Sequence, residues 1–336
     1  MRNKMIWIVA LAALVAGGIR AEDSAKTSKY PVQFVTVEKD VKLEVVDWGG
    51  TGRPLVLLAA LGADAHIYDE FAPKLTGTYH VYGITRRGYG ASSVPPSGYS
   101  ADRLGNDILA VIDSLKLNRP VLVGHSIAGM ELSWVGTHHP ERISGLIYLE
   151  AAYGYAYYSE ASNDPNNVFL DALELREKLL QLPPGGGRPD QKRLTADLLA
   201  DIARLERELR NYTDLLKNYQ DPIMDPANPP RPPASLTGIF RGMQKYTRLG
   251  VPVLAIFAVP HALSNLGDPD MLSKDPTAAA AAEAEDVKRS GAQADAFERG
   301  VPSARVVRIA HASHVIFQTN EQDVLREMNA FLAKLP

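Results

Sequence analysis

The chain has 336 residues, of which 46% are hydrophobic and 22% are charged, a balance typical of a globular protein. Its formal net charge of -3 argues against a nucleic acid as its partner. It contains no cysteine, which excludes a disulfide framework, a thiol nucleophile and a cysteine-ligated metal site.

The first 21 residues have the layout of a secretory signal peptide. Arg2 and Lys4 precede an apolar run over residues 5–15, and small residues lead to Ala21, after which we expect cleavage. The run is shorter than the ~20 residues that span a bilayer comfortably, and an uncleaved membrane anchor is the alternative. We expect residues 22–31 to be polar and flexible, and the mature protein to be periplasmic or secreted, with no stable membrane span.

Apolar runs predict strands, and helical spacing of apolar residues predicts helices between them. The predicted strands cover residues 32–38, 41–48, 55–60, 81–85, 121–123, 145–152, 252–259 and 305–310. The predicted helices of the same region cover residues 67–75, 104–115, 130–135, 277–299 and 324–335. Strands that alternate with helices imply an α/β fold with a mostly parallel central sheet and helices on both faces.

Residues 153–248 interrupt this alternation because they contain no strand-like run. They hold helical stretches near residues 168–182, 193–219 and 239–246. We therefore predict a helical cap inserted between two strands of one sheet, with a core formed by residues 32–152 and 249–336.

The most informative stretch is residues 124–129, which read G-H-S-I-A-G and connect a buried strand to an apolar helix. A serine at the tip of such a turn takes a strained backbone conformation, so the residues two positions away on each side must be small. Gly124 and Ala128 meet this requirement around Ser126, although the full pattern G-x-S-x-G would have a second glycine.

A serine hydroxyl is a poor nucleophile unless a base accepts its proton and a third group orients that base. His314 follows the last predicted strand and precedes the closing helix, which is a suitable place for the base. His311 is the alternative base.

Together these features resemble the α/β-hydrolase superfamily over roughly residues 32–336. The serine turn, the loop R-G-Y-G-A-S at residues 87–92 (similar to the family's R-G-x-G-x-S) and the C-terminal histidine occur in the family's order. The resemblance implies an α/β-hydrolase fold, with Ser126 as nucleophile and His314 as general base and acid.

The resemblance also implies two backbone donors for an oxyanion. One is the N–H of Ile127, and the other, by alignment on residues 71–75, is the N–H of Leu61. The family often has His-Gly before this second donor, whereas this chain has Ala59 and Ala60. The change is tolerable because the amide, rather than a side chain, stabilises the oxyanion.

The acid of the triad departs from the common family pattern. The family commonly places an aspartate after the strand that follows the insertion, but residues 257–263 read F-A-V-P-H-A-L and offer no carboxylate. Some members, including a branch of the haloalkane dehalogenases, take the acid from the preceding strand, where this chain has Glu150. A carboxylate there costs several kcal/mol unless it is paired, and a catalytic histidine would be a partner. Glu150 is the predicted acid and Asp268 is the alternative.

The sequence therefore predicts a serine hydrolase that cleaves a carboxylic ester, or a similar acyl bond, of a small molecule through Ser126. No cofactor is expected, and no metal either, since the histidines lack an H-E-x-x-H pattern or a carboxylate-rich ligand set. Two alternatives stay open: a cofactor-free haloperoxidase or perhydrolase with the same triad, and a non-catalytic ligand-binding protein of the same fold.

Overall fold

The computed structural model describes residues 28–162, 164, 166–181, 191–217, 233–267 and 269–336. The predicted signal peptide, residues 1–21, and most of the segment predicted to be flexible, residues 22–27, lie outside the described residues. Among the described residues of this segment, Tyr30 packs edge-on against Trp48 and donates its hydroxyl to the carbonyl of Asp69, and the flexibility of residues 22–31 stays a prediction.

The described part of the chain forms one eight-stranded sheet. Its strands are β1 (Val32–Glu38), β2 (Val41–Gly49), β3 (Pro54–Leu58), β4 (His80–Ile84), β5 (Val121–His125), β6 (Gly145–Leu149), β7 (Val253–Ala258) and β8 (Ala304–Ile309). Their spatial order is β1-β2-β4-β3-β5-β6-β7-β8. Only β2 is antiparallel to its neighbours, β1 and β4, which confirms the predicted mostly parallel sheet.

Helices cover both faces of this sheet. They are α1 (Ala101–Ser114), α2 (Ala128–His138), α3 (Asn166–Leu180), α4 (Gln191–Lys217), α5 (Ala234–Arg241), α6 (Pro269–Leu272), α7 (Pro276–Gly300), α8 (Ile316–Thr319) and α9 (Glu321–Leu332). Within the described ranges, none of them has the length and apolar character needed to cross a membrane.

The central strands send alternate side chains into two apolar layers. In β5, Val121 and Val123 enter the layer that contains Met328 of α9, whereas Leu122 enters the layer that contains Trp134 of α2. Both faces of the strand are therefore covered, which is why its sequence is a continuous apolar run instead of an alternating one.

The predicted helix over residues 67–75 is wrong. This segment forms two 3-10 turns, Ala65–Tyr68 and Ala72–Lys74, whose hydrogen bonds span three residues. Pro73 has no backbone N–H to donate and interrupts a longer helical ladder. The apolar spacing that suggested a helix instead places Tyr68 and Phe71 in the core.

The chain between β6 and β7 contains α3, α4 and α5, and no strand among its described residues. Arg204 of α4 binds the buried carboxylate of Asp171 on α3, with both contacts at 3.1 Å. Asp171 also accepts a hydrogen bond from the hydroxyl of Tyr158, in the segment that follows β6, at 2.9 Å. These contacts tie the helices to the core, and the cap boundaries at residues 153 and 248 stay a prediction.

The register of the sheet brings the carboxyl ends of its central strands to one edge. His125 at the end of β5 pairs with Leu149 at the end of β6. Ser126 and Glu150 are the next residues of these adjacent strands, so both leave the sheet at the same height. The strand predicted to reach residue 152 therefore ends at Leu149.

Helix α2 packs against the chain that follows β6 through Gly129, where a Cβ would lie 1.9 Å from the carbonyl oxygen of Ala151. Gly129→Ala should therefore lower the free energy of unfolding by about 1–3 kcal/mol, because backbone must move to avoid the overlap. Urea denaturation followed by circular dichroism measures this change.

Gly77→Ala is the matched control, since an added Cβ at this exposed glycine meets no atom within 4 Å. We expect its free energy of unfolding to stay within about 0.5 kcal/mol of the parent protein. Equal stabilities of the two variants would contradict the predicted overlap at Gly129.

Candidate active site

Ser126 lies at a sharp turn between β5 and α2, where its backbone is left-handed, with φ of 55°. Residues other than glycine are strained in this conformation, and such strain is concentrated at functional sites. A Cβ added to Gly124 would lie 2.9 Å from the side chain of Leu132 and 3.1 Å from that of Ala128. The turn therefore needs the small residues that the sequence provides at these positions.

The structure brings Ser126, His314 and Glu150 into one hydrogen-bonded chain. His314 Nε2 lies 2.9 Å from Ser126 Oγ, and His314 Nδ1 lies 3.2 Å from Glu150 Oε2. His311, the alternative base, is exposed, and Asp268, the alternative acid, lies outside the described residues. The side chains predicted as nucleophile, base and acid are thus in contact in that order.

Glu150 is completely buried at the end of β6, and its backbone is also left-handed, with φ of 51°. Its Oε1 accepts the backbone N–H of Ala258 at 2.6 Å, and the hydroxyl of Tyr153 donates to the carboxylate at 2.9 Å. Burial alone would raise the pKa of Glu150, but the imidazoles of His261 and His314 outweigh burial and hold this pKa well below its usual range. The carboxylate is therefore ionised.

His261 contacts the same carboxylate, although the sequence analysis does not identify it. Its Nε2 lies 2.8 Å from Glu150 Oε2, and its Nδ1 lies 3.0 Å from Oδ2 of Asp286 on α7. Burial lowers the pKa of His261, but the two carboxylates outweigh burial and raise it to about 9. His261 follows β7, where the family resemblance leads one to look for a carboxylate, and that position is the signal that could have revealed it.

His125, next to Ser126, supports the segment that carries His314. Its Nε2 lies 2.8 Å from the backbone carbonyl oxygen of His314, so this nitrogen must carry the donated proton. Burial lowers the pKa of His125 to about 3, and the ring is therefore neutral at ordinary pH. This geometry suits a residue that shapes the site and does not transfer protons.

The predicted oxyanion donors, Leu61 and Ile127, leave the sheet side by side. Leu58 of β3 and Gly124 of β5 are paired across the two strands, and the two donors lie three residues further along each chain segment. Ile127 directly precedes α2, and the first N–H groups of a helix have no partner within the helix. The role of the two amides as donors stays a prediction.

Arg86, which follows β4, holds the segment before Leu61 in place. It is buried, and its Nη2 and Nη1 donate to the backbone carbonyls of Ala59 at 2.9 Å and Ala60 at 3.3 Å. Its Nε binds the carboxylate of Glu131 on α2. One buried cation thus links the chain before the predicted second donor to the helix that follows the nucleophile.

Glu150, His261 and His314 are also residue types that bind metal ions, and their ligand atoms lie within 4.8 Å of one another. The two imidazoles lie 2.8 and 3.2 Å from Glu150 Oε2, which are hydrogen-bonding distances. A metal ion bound here would displace these hydrogen bonds, because it would coordinate the same nitrogen and oxygen atoms. We therefore interpret the cluster as a hydrogen-bonded network.

The parallel sheet, the serine turn and the histidine after the last strand define an α/β-hydrolase fold. Residues 55–327 match the alpha/beta hydrolase family, and the chain belongs to this family.

Two curated proteins and a solved structure show how broad the likeness is. The chain is 30% identical over 115 residues to 3-oxoadipate enol-lactonase 2 of Acinetobacter baylyi, covering 34% of this chain and 43% of that protein. It is 31% identical over 156 residues to a pyrethroid hydrolase of Sphingobium wenxiniae, covering 42% of this chain and 47% of that protein. These matches span less than half the length of each relative.

The solved structure is a bromoperoxidase from Bacillus anthracis, with a TM-score of 0.56 and 18% identity. The likeness covers 90% of this chain and 100% of that one. At this identity it shows the shared fold.

Removing one partner of the buried ion pair between Arg86 and Glu131 should strongly destabilise the protein. Arg86→Met removes the bonds to two backbone carbonyls and leaves the Glu131 carboxylate buried without its partner, so we expect the free energy of unfolding to fall by about 3–5 kcal/mol. Urea denaturation measures the loss.

The double variant Arg86→Met/Glu131→Leu separates the two causes. It should regain most of the lost stability, because the unpaired carboxylate is gone. A double variant that is as unstable as Arg86→Met would mean that the bonds to the carbonyls of Ala59 and Ala60, rather than the ion pair, stabilise this region.

Proposed function

We propose that the chain is a serine hydrolase that cleaves a carboxylic ester, or a similar acyl bond, through an acyl-enzyme on Ser126. The observation that carries this proposal is the hydrogen-bonded chain from Ser126 Oγ through His314 to Glu150, with distances of 2.9 and 3.2 Å. This arrangement supplies the base and the orienting carboxylate that a serine nucleophile requires. The similarity to an enol-lactonase supports the same chemistry, because a lactone is a cyclic ester.

In the first half of the reaction, Ser126 Oγ attacks the carbonyl carbon while His314 Nε2 takes the hydroxyl proton. The ionised Glu150 stabilises the imidazolium that forms. The N–H groups of Leu61 and Ile127 would bind the tetrahedral oxyanion. The intermediate then expels the alkoxide, which receives the proton from His314 and leaves as the alcohol, and the acyl group stays on Ser126.

In the second half, a water molecule attacks the acyl-enzyme and gives a proton to His314 Nε2. The bond between Ser126 Oγ and the acyl carbon breaks, His314 returns the proton to Oγ, and the carboxylic acid leaves. The net reaction consumes the ester and one water molecule and releases the alcohol and the carboxylic acid. Residues 153–248, as a cap, would form the roof of the pocket and set the choice of substrate.

Hydrolysis of a series of p-nitrophenyl esters by the mature protein tests this proposal. Ser126→Ala should lower kcat by at least about 10³-fold, because no other group can form the acyl-enzyme. Glu150→Gln should lower kcat by about 10²-fold or more, because the neutral amide no longer stabilises the imidazolium. Circular dichroism checks that each variant is folded.

His314→Gln and His311→Gln form a matched pair, since both remove a histidine from the same loop. Only His314→Gln should abolish turnover. Activity that survives Glu150→Gln but not Asp268→Asn would move the acid to Asp268. A protein that hydrolyses no ester, and whose Ser126 is not labelled by a fluorophosphonate, would contradict the proposal. Peroxide-dependent oxidation without ester hydrolysis would point to a haloperoxidase or perhydrolase.

We also propose that the protein is exported and that residues 1–21 are removed. The support is the charged start, short apolar run and small residues of this segment. Expression of the full chain in a Gram-negative bacterium, followed by N-terminal sequencing of the periplasmic fraction, should give Glu22 as the first residue. An intact Met1 in the membrane fraction would instead mean that the segment is an anchor.

A further inference from the structure

The pair His261 and Asp286 forms a second histidine–carboxylate couple behind the triad. His261 donates its backbone N–H to Asp286 Oδ2 at 2.8 Å, and its Nδ1 lies 3.0 Å from the same oxygen. Its Nε2 lies 2.8 Å from Glu150 Oε2. Both His261 and Asp286 are 1% exposed, so these contacts are shielded from water.

The two contacts of the His261 ring determine its protonation state. An ionised carboxylate accepts hydrogen bonds and has none to donate, so a ring nitrogen facing one must carry a hydrogen. Both nitrogens of His261 face carboxylates, Glu150 on one side and Asp286 on the other. His261 is therefore an imidazolium, a buried cation between two buried anions.

This cation acts on the catalytic base in two ways. Oε2 of Glu150 accepts from both His261 and His314, so the carboxylate that orients His314 is partly neutralised by His261. The ligand atoms of the two imidazoles also lie within 4.8 Å of each other, so a second positive charge on His314 would be repelled. His261 therefore changes the charge around His314 through the shared oxygen of Glu150.

We propose that His261, held by Asp286, is a positioning residue that fixes Glu150 Oε2 against His314 and offsets part of the negative charge that His314 faces. The proposal rests on the proposed function, because it assigns His314 the role of general base. In this proposal His261 acts on His314 through Glu150.

Titratable or charged groups face His261 from each of the elements packed against it. They are Glu150 after β6, Tyr153 in the segment that follows, Asp286 and Arg289 on α7, and His314 after β8. Arg289 contacts Asp286 at 3.3 Å and is about one-quarter exposed, so it supports Asp286 from the solvent side. The carboxylates are the nearest neighbours of the His261 ring, and they stabilise its charge.

The pH dependence of kcat/KM in His261→Gln tests the proposal. Removal of the cation leaves Glu150 free to favour protonated His314, so the acid limb of the profile should move to higher pH by about one unit. The plateau value should fall by far less than the about 10²-fold that loss of a general base costs. Asp286→Asn, which leaves His261 in place, should move the limb in the same direction.

His80→Gln is the matched control. His80 also pairs with a carboxylate, since its Nε2 lies 2.9 Å from Asp47 Oδ1. It is the first residue of β4 and therefore lies at the amino end of the parallel strands, away from the candidate site. The acid limb of the His80→Gln profile should coincide with that of the parent protein. An unmoved limb in His261→Gln, or an equal movement in His80→Gln, would overturn the proposal.

Stability provides a readout that does not depend on turnover. The pKa of His261 is raised from 6.5 to about 9, so its stabilising contribution is complete below about pH 6.5 and is lost as the pH rises through about 9. The free energy of unfolding of the parent protein should fall over this window, and that of His261→Gln should not. Equal pH dependence would contradict the imidazolium.

Turnover and labelling test the proposed function, and the pH profile tests the role of His261. A parent protein without turnover or fluorophosphonate labelling would overturn the proposed function and the catalytic role of His261 with it. Normal turnover together with an unmoved acid limb would overturn the role of His261 alone.

Discussion

The burial of the Glu150 carboxylate is the constraint on which the active site depends. An ionised group without solvent is tolerated only when hydrogen bonds and opposite charge replace its hydration. Here the replacements come from distant parts of the chain: the N–H of Ala258 at the end of β7, the hydroxyl of Tyr153, and the imidazoles of His261 and His314. The carboxylate is satisfied only when all these segments are in place, so assembly of the site and folding of the core are the same event.

Backbone strain is stored at the two points where the proposed nucleophile and acid leave the sheet. Ser126 and Glu150 follow adjacent strands, and both have a left-handed backbone, with φ of 55° and 51°. The close approach of Gly129 to the carbonyl of Ala151 packs the helix after Ser126 against the loop after Glu150, so the two strained turns support each other.

Much of the fold and part of the site follow from the sequence, for reasons that are local. A buried strand of a parallel sheet is a continuous apolar run, and a strained serine turn needs small neighbours, so β5 and Ser126 are recognisable without tertiary information. Glu150 is recognisable because a carboxylate at the end of an apolar strand needs a partner. The helix predicted over residues 67–75 fails because Pro73 breaks the ladder, while the spacing of its apolar residues still reflects real burial.

What the sequence does not reveal is the pairing of distant residues. Asp286 lies in an alanine- and charge-rich helix, where nothing separates it from its acidic neighbours until α7 packs against the loop after β7. Its partner stands where a carboxylate is common in this family. A carboxylate at residue 261 would face Glu150 directly, and two buried anions at that distance would oppose each other's ionisation. A histidine at residue 261 attracts the Glu150 carboxylate instead of repelling it, and Asp286 in turn stabilises the positive charge of that histidine. Glu150 lies buried after β6, and the imidazole of His261 after β7 helps to hold its pKa below the usual range, which keeps the carboxylate ionised.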